Sequence, residues 1–145
     1  MKSRFFISAL SLGVLATGPT YGADVLLETQ TSWDGGALAY PPGNAQITSI
    51  TLHIEPGEVL PFHCHPVPTL GYLLSGTLEV ETEQGDSVRV QEGNAVVEVM
   101  NTLHRGLAIG GPVDIIVFYA GAEGVPTTVL PGSKESKTWP CGDAE

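Results

Sequence analysis

Basic residues are scarce in this chain: six Lys and Arg stand against sixteen Asp and Glu in 145 residues. Beyond residue 23 only Arg89, Arg105, Lys134 and Lys137 are basic while all sixteen acidic residues remain, a net charge of −12. Nucleic acid and anionic membrane surfaces attract proteins through positive stripes, so neither is expected as a partner. No segment carries a helical period, and there are no internal repeats or low-complexity tracts, which leaves an all-helical or solenoid architecture without support. The chain also has no apolar run long enough to cross a bilayer; residues 5–16 (FFISALSLGVLA) fall short. Glycine and proline, by contrast, are abundant at 18 and 11. Many turns between short elements, an all-β pattern, follow from that composition.

The N-terminus reads as an address. Lys2 and Arg4 form a positive start, residues 5–16 an apolar centre, and the small residues around Gly22 and Ala23 a cleavage site. A signal peptide over residues 1–22 is expected, with the mature protein periplasmic or secreted; a membrane anchor or a buried first strand is the competing reading. Residues 23–145 then form one domain, with a barrel core at about 46–120 and a tail at 121–145. Cys64 and Cys141 are the only cysteines. An oxidising compartment permits a disulfide between them, and two unpaired thiols are the alternative.

Alternation of polar and apolar residues marks the strands. Residues 46–55 place Ile47, Ser49, Thr51 and His53 on one face and Thr48, Ile50, Leu52 and Ile54 on the other. Further strands are expected at 24–33, 59–65, 70–74, 77–82, 87–91, 95–100 and 113–119, separated by Gly- and Pro-bearing turns. Pro66 and Pro68 confine the segment after 65 to an edge or loop. So many short strands suggest a closed or double-sheet antiparallel barrel.

Two places carry chemistry. His63 and His65, two apart in extended chain, project from one face, and their imidazoles can meet on one ion. Cys64 between them points to the opposite face and is a poor ligand for the same metal. His104, some forty residues later, can supply a third imidazole from a neighbouring strand, leaving open coordination positions. An isolated His-x-His proves little, but its surroundings resemble the cupin superfamily over most of the mature chain. The first motif of that superfamily, Gly-x5-His-x-His-x3-Glu-x6-Gly, fits Gly57, His63, His65, Thr69 and Gly76, with only the Glu replaced. The second, Gly-x5-Pro-x-Gly-x2-His-x3-Asn, falls on Gly93, Val99, Asn101, His104 and Ala108, keeping only glycine and histidine. The resemblance implies an antiparallel double-stranded β-helix, or jelly-roll, and a homodimer.

It also implies one divalent ion on His63, His65 and His104, with Fe(II) favoured over Mn, Zn or Ni. Thr69 is a poor ligand, which implies a neutral, all-imidazole ligand set. Glu98 interrupts an apolar strand, and an unpaired buried carboxylate is costly. Either it reaches the metal region, as a ligand, water-orienting group or base with a raised pKa, or it points to solvent. Arg105, Tyr72 and Phe62 are candidates to bind a small-molecule substrate, while a surface salt bridge is the alternative for Arg105. His53 reads as a solvated or packed histidine. The implied activity is a mononuclear metal dioxygenase acting on a small enolisable or phenolic substrate. A non-catalytic ligand- or metal-binding module, or a metal-dependent isomerase or lyase, are the alternatives.

Overall fold

The computed structural model describes residues 22–142. The expected signal segment, Gly22 apart, lies outside the described residues. Seven strands form: β1 (Ala45–Ile54), β2 (Thr69–Ser75), β3 (Thr77–Thr82), β4 (Ser87–Gln91), β5 (Ala95–Val97), β6 (His104–Ala108) and β7 (Val113–Ala122). Among the described residues the one helical element is a short 3-10 turn at Glu135–Lys137.

The strands make two antiparallel sheets, in the orders β1-β7-β2-β5 and β4-β3-β6. Alternation decides what each strand buries. Ile115 and Val117 of β7, Leu73 of β2, and Leu78 and Val80 of β3 are buried and pack between the sheets with Ile54, Val90, Val96 and Val113. This is the expected double-stranded β-helix.

The β2–β3 hairpin turns at Gly76, which has φ +86°. A Cβ there would collide with the Pro112 carbonyl, so glycine is required both for its conformation and for the close approach of the neighbouring chain.

Four expectations need correction. Residues 59–65 form no continuous strand; Val59, His63, Cys64 and His65 make isolated bridges to Leu107, His104, Val129 and Met100. Residues 24–33 do not form a strand; only Thr31 bridges, to Ala37. That stretch has no ladder partner of its own, and Val25, Leu26 and Leu27 remain exposed. The strand expected over 95–100 ends at Val97, because Glu98 and Val99 are both buried and the alternation breaks there. Conversely, β6 emerges where no strand was expected. Its sequence HRGLA is short and holds a glycine, yet its inward residues His104, Gly106 and Ala108 are buried.

The tail does not leave the barrel. Val129 and Cys64 exchange backbone hydrogen bonds of 3.0 and 2.9 Å, and Cys141 forms a disulfide with Cys64 across a Cα–Cα distance of 5.7 Å. The described tail is thereby fastened to the segment that carries His63 and His65.

Candidate metal centre

Backbone pairing brings the three histidines together. His63 and His104 exchange N–H to O=C bonds of 2.9 Å in each direction, the hydrogen-bonded antiparallel arrangement that sets two side chains on one face. His65 stands two residues on and returns to that face; its carbonyl accepts from the Asn101 N–H at 2.9 Å. The ring centroids of the three imidazoles lie 4.6 to 5.0 Å apart. Asn101 occupies the place of the family's glycine and has φ +54°, the one non-glycine residue with positive φ among those described. Asparagine tolerates that left-handed conformation better than most residues.

Each ring is held by its Nδ1. His63 donates to the Pro61 carbonyl at 2.8 Å, His65 to the Thr127 carbonyl at 2.7 Å, and His104 to the Thr102 carbonyl at 2.8 Å. A carbonyl only accepts, so the Nδ1 atoms carry the protons and the Nε2 atoms are left to face inward. Such backbone clamps are the usual support of metal-binding histidines.

Glu98 completes the cluster. Its Oε2 lies 2.8 Å from His104 Nε2 and 3.1 Å from His65 Nε2. One ligand atom from each of His63, His65, Glu98 and His104 falls within 4.8 Å of all the others. Of the two orientations open for Glu98, the structure adopts the inward one, and the donors that could hold an ion are three imidazoles and one carboxylate rather than the expected imidazoles alone. Thr69 explains the substitution. It is buried, and its hydroxyl donates to the Val67 carbonyl at 3.0 Å, while its own carbonyl accepts from the Glu98 N–H at 2.9 Å. The carboxylate missing from β2 is thus supplied by the chain directly beside it.

The donor chemistry fits a cation. With Nδ1 protons committed outward, three Nε2 atoms and a carboxylate converge on one point. Glu98 Oε2 is the atom that both the His65 and the His104 Nε2 reach. Burial alone would raise the Glu98 carboxyl, but hydrogen bonds from His104 and His65 prevail and hold it well below the usual carboxylate range. The expectation of a base with a raised pKa is corrected accordingly. Burial also opposes charge on His104, yet the bond to Glu98 outweighs it and the pKa is raised. His63 has no such partner. Burial pushes it down to about 4, and the neighbouring imidazoles add to the effect.

The cluster opens onto a cavity of about 50 Å³ with largely aliphatic walls, including Leu52, Leu60, Leu78 and Val117. Tyr119 also lines it, its ring centroid 5.5 Å from that of His65. The alternation of Ile115, Val117 and Tyr119 along β7 is the sequence signal that places this tyrosine inside. Nothing in the sequence pointed to the Thr127 carbonyl, because any residue type can supply it.

Phe62, Tyr72 and Arg105 are not brought to this cavity. Tyr72 alternates with the buried Gly71 and Leu73 and so lies on the outer face of β2. The Arg105 guanidinium pairs with Glu81 at 2.6 Å and sits over the Phe62 ring at 4.5 Å, so the two candidates satisfy each other outside the barrel. His53 is exposed and bonded to Asp114 at 2.7 Å, apart from the cluster.

A model described as a cupin domain matches residues 50–119. No curated protein matches the chain in sequence. Among solved structures, the fold is similar to that of DMSP lyase DddQ from Ruegeria pomeroyi DSS-3, with a TM-score of 0.52 and 22% identity over 61% of this chain and 44% of that one. A mutant of the oxalate decarboxylase OxdC from Bacillus subtilis gives 0.51 and 21%, over 59% of this chain and 24% of that one. An uncharacterized conserved protein with a double-stranded beta-helix domain, from Klebsiella pneumoniae subsp. pneumoniae MGH 78578, gives 0.50 and 16%, over 67% and 83%. The chain spans less than half the length of the DMSP lyase, and at these identities the likeness is one of fold. The barrel topology, the matched domain and the histidine pattern agree, and the chain belongs to the cupin superfamily.

Proposed function

We propose that this cupin is a mononuclear metal enzyme, an Fe(II) dioxygenase acting on a small enolisable or phenolic substrate that binds as a monoanion. The observation that carries the reading is Glu98 among the three histidines, beneath apolar walls. A mixed imidazole and carboxylate set with open positions suits Fe(II) or Mn(II) better than a closed tetrahedral zinc site. Such an ion, when bound, supplies Lewis-acid charge and, if iron, redox reactivity.

The protein's own contribution follows from its side chains. His63, His65 and His104 orient through their carbonyl clamps. Glu98 contributes one negative charge, so a divalent ion with one monoanionic ligand is neutral overall. That is the state an aliphatic cavity accepts most readily. At about 50 Å³ the cavity admits the reacting end of a small substrate and little more. The aliphatic walls exclude bulk water, and the Tyr119 ring completes the wall beside His65, with Thr128 at its hydroxyl. Export to the periplasm or medium, and a homodimer, belong to the same reading; the Cys64–Cys141 disulfide supports the former.

A second reading, a metal-dependent lyase or isomerase, is favoured by Tyr119, a buried phenol in the cavity wall with Thr128 at its hydroxyl. Metal analysis of the untagged protein, then oxygen uptake with small β-diketones, separates these. One ion per wild-type chain, loss of that ion in His104→Ala, and stoichiometric oxygen consumption support the dioxygenase. Turnover under anaerobic conditions, abolished in Tyr119→Phe, assigns the lyase or isomerase instead. Absence of metal in wild type overturns both.

A further inference from the structure

The C-terminal tail reaches the metal-binding segment through four connections. Thr127 offers the carbonyl that holds the His65 Nδ1–H at 2.7 Å. Two residues on, Val129 is buried and makes a two-bond bridge with Cys64, which lies between His63 and His65. Gly142 donates to the Asn101 carbonyl, and Asn101 itself donates to the His65 carbonyl. The disulfide then joins Cys141 to Cys64, closing a separation of 77 residues. Of the three imidazole clamps, those of His63 and His104 come from residues two positions away, Pro61 and Thr102. The clamp on His65 alone comes from a remote segment, 62 residues on.

We propose that the Cys64–Cys141 disulfide is a redox lock on the metal centre. When it is closed, the tail holds His65 in its ligating orientation; when it is opened, the tail loosens, the His65 clamp fails and the ion is bound more weakly. The inference rests on the metal reading above. The opening step is thiol–disulfide exchange with an external dithiol. Cys64 is 1% exposed and Cys141 is partly exposed, so the incoming thiolate attacks the Cys141 sulfur. The Cys64–Cys141 bond breaks, a mixed disulfide forms on Cys141, and Cys64 departs as a thiolate that takes up a proton. The second thiol of the reductant then releases Cys141. Two electrons and two protons pass to the protein, and the dithiol becomes a disulfide.

Cys64 is not itself a ligand in this scheme, because its side chain lies on the face opposite to the imidazoles. The lock acts through position. Loss of a partner that orients a ligating histidine typically weakens metal binding by about 10–100-fold. Because binding equilibria are reciprocal, bound metal must make the disulfide harder to reduce by the same factor. For a two-electron couple that is about 30–60 mV.

The test uses the full chain and Zn(II) alone, with affinity read by competition against a fluorescent chelator. The oxidised protein is compared with the protein reduced by a phosphine and with the Cys64→Ser/Cys141→Ser double variant. Circular dichroism checks that each remains folded. Reduced and double-variant proteins are expected to bind Zn(II) about 10–100-fold more weakly, and saturating Zn(II) to shift the glutathione equilibrium of the disulfide by the matching factor. Val129→Pro removes one tail bridge bond while keeping both cysteines and every ligand. It serves if the double variant does not fold, and several-fold weaker binding is its expected result. Equal Zn(II) affinity in oxidised and reduced protein, or in Val129→Pro and wild type, overturns the lock and leaves the metal reading standing. No Zn(II) binding by the oxidised protein overturns both.

Discussion

Replacing Glu98 with glutamine tests the ligand set most directly. The side chain keeps its shape and one oxygen, and loses its charge. Glu98 is 8% exposed and lies about 3 Å from the Nε2 atoms of His65 and His104. At that separation two unit charges interact by about 5–6 kcal/mol at an effective dielectric of ~20, and roughly twice that against a divalent ion. Much of this is offset by the cost of keeping a carboxylate dry. Removing one partner of a buried ionic group costs about 3–5 kcal/mol net. At 1.4 kcal/mol per decade, the metal dissociation constant should rise by roughly two to three and a half orders of magnitude.

The structure adds a sharper control. Thr69 and Glu98 are neighbours across β2 and the end of β5, joined by the 2.9 Å bond from the Glu98 N–H to the Thr69 carbonyl. The exchange Thr69→Glu/Glu98→Thr moves the carboxylate from one position to the other at constant total volume, which cores tolerate best. It should recover affinity to within about tenfold of wild type. Isothermal titration with Mn(II) and Fe(II) under anaerobic conditions reads all three proteins. Glu98→Gln binding as tightly as wild type would refute the placement of the carboxylate in the ligand set.

Other consequences follow from single residues. Gly76→Ala should destabilise the fold by at least about 2 kcal/mol in urea unfolding, since it meets both a strained φ and the Pro112 carbonyl. Asn101→Gly should leave stability within about 1 kcal/mol of wild type, whereas Asn101→Val should cost about 1–2 kcal/mol, because valine resists the left-handed conformation. His63 supplies a pH signature in the metal-free protein. Its folded pKa is depressed from 6.5 to about 4, so between those values the unfolded chain binds a proton that the folded chain does not. Stability is therefore lost as pH falls from 6.5 towards 4, by up to about 3 kcal/mol. Relative to wild type, His63→Gln should gain stability over that same interval, and an unchanged difference between pH 7 and 4 would contradict the assignment.

The barrel was legible because period-two alternation needs no knowledge of partners. Residues 46–55, 77–82, 87–91 and 113–119 all appear as strands within a residue or a few of their expected bounds. Where alternation was weak or unpartnered, the reading failed. Residues 24–33 carry β-formers but find no ladder, and β6 was hidden by a glycine and a short run. Phe62 and Arg105 had the chemistry of a substrate site, and their side chains instead engage each other and Glu81.

By itself, the sequence determined the family, the period-two strands and the three histidines, because spacing along an extended chain dictates which face a side chain takes. It also placed Cys64 opposite the ligands by the same rule. Only the tertiary structure decided that Glu98 turns inward beside Thr69, that Tyr119 meets His65, and that Cys141 returns to Cys64. Those pairings join residues 29, 54 and 77 positions apart, and such closures depend on how two sheets stack rather than on any local pattern. The carboxylate is the plainest case: alternation left its face undetermined, and the break in the strand after Val97 supplied the answer.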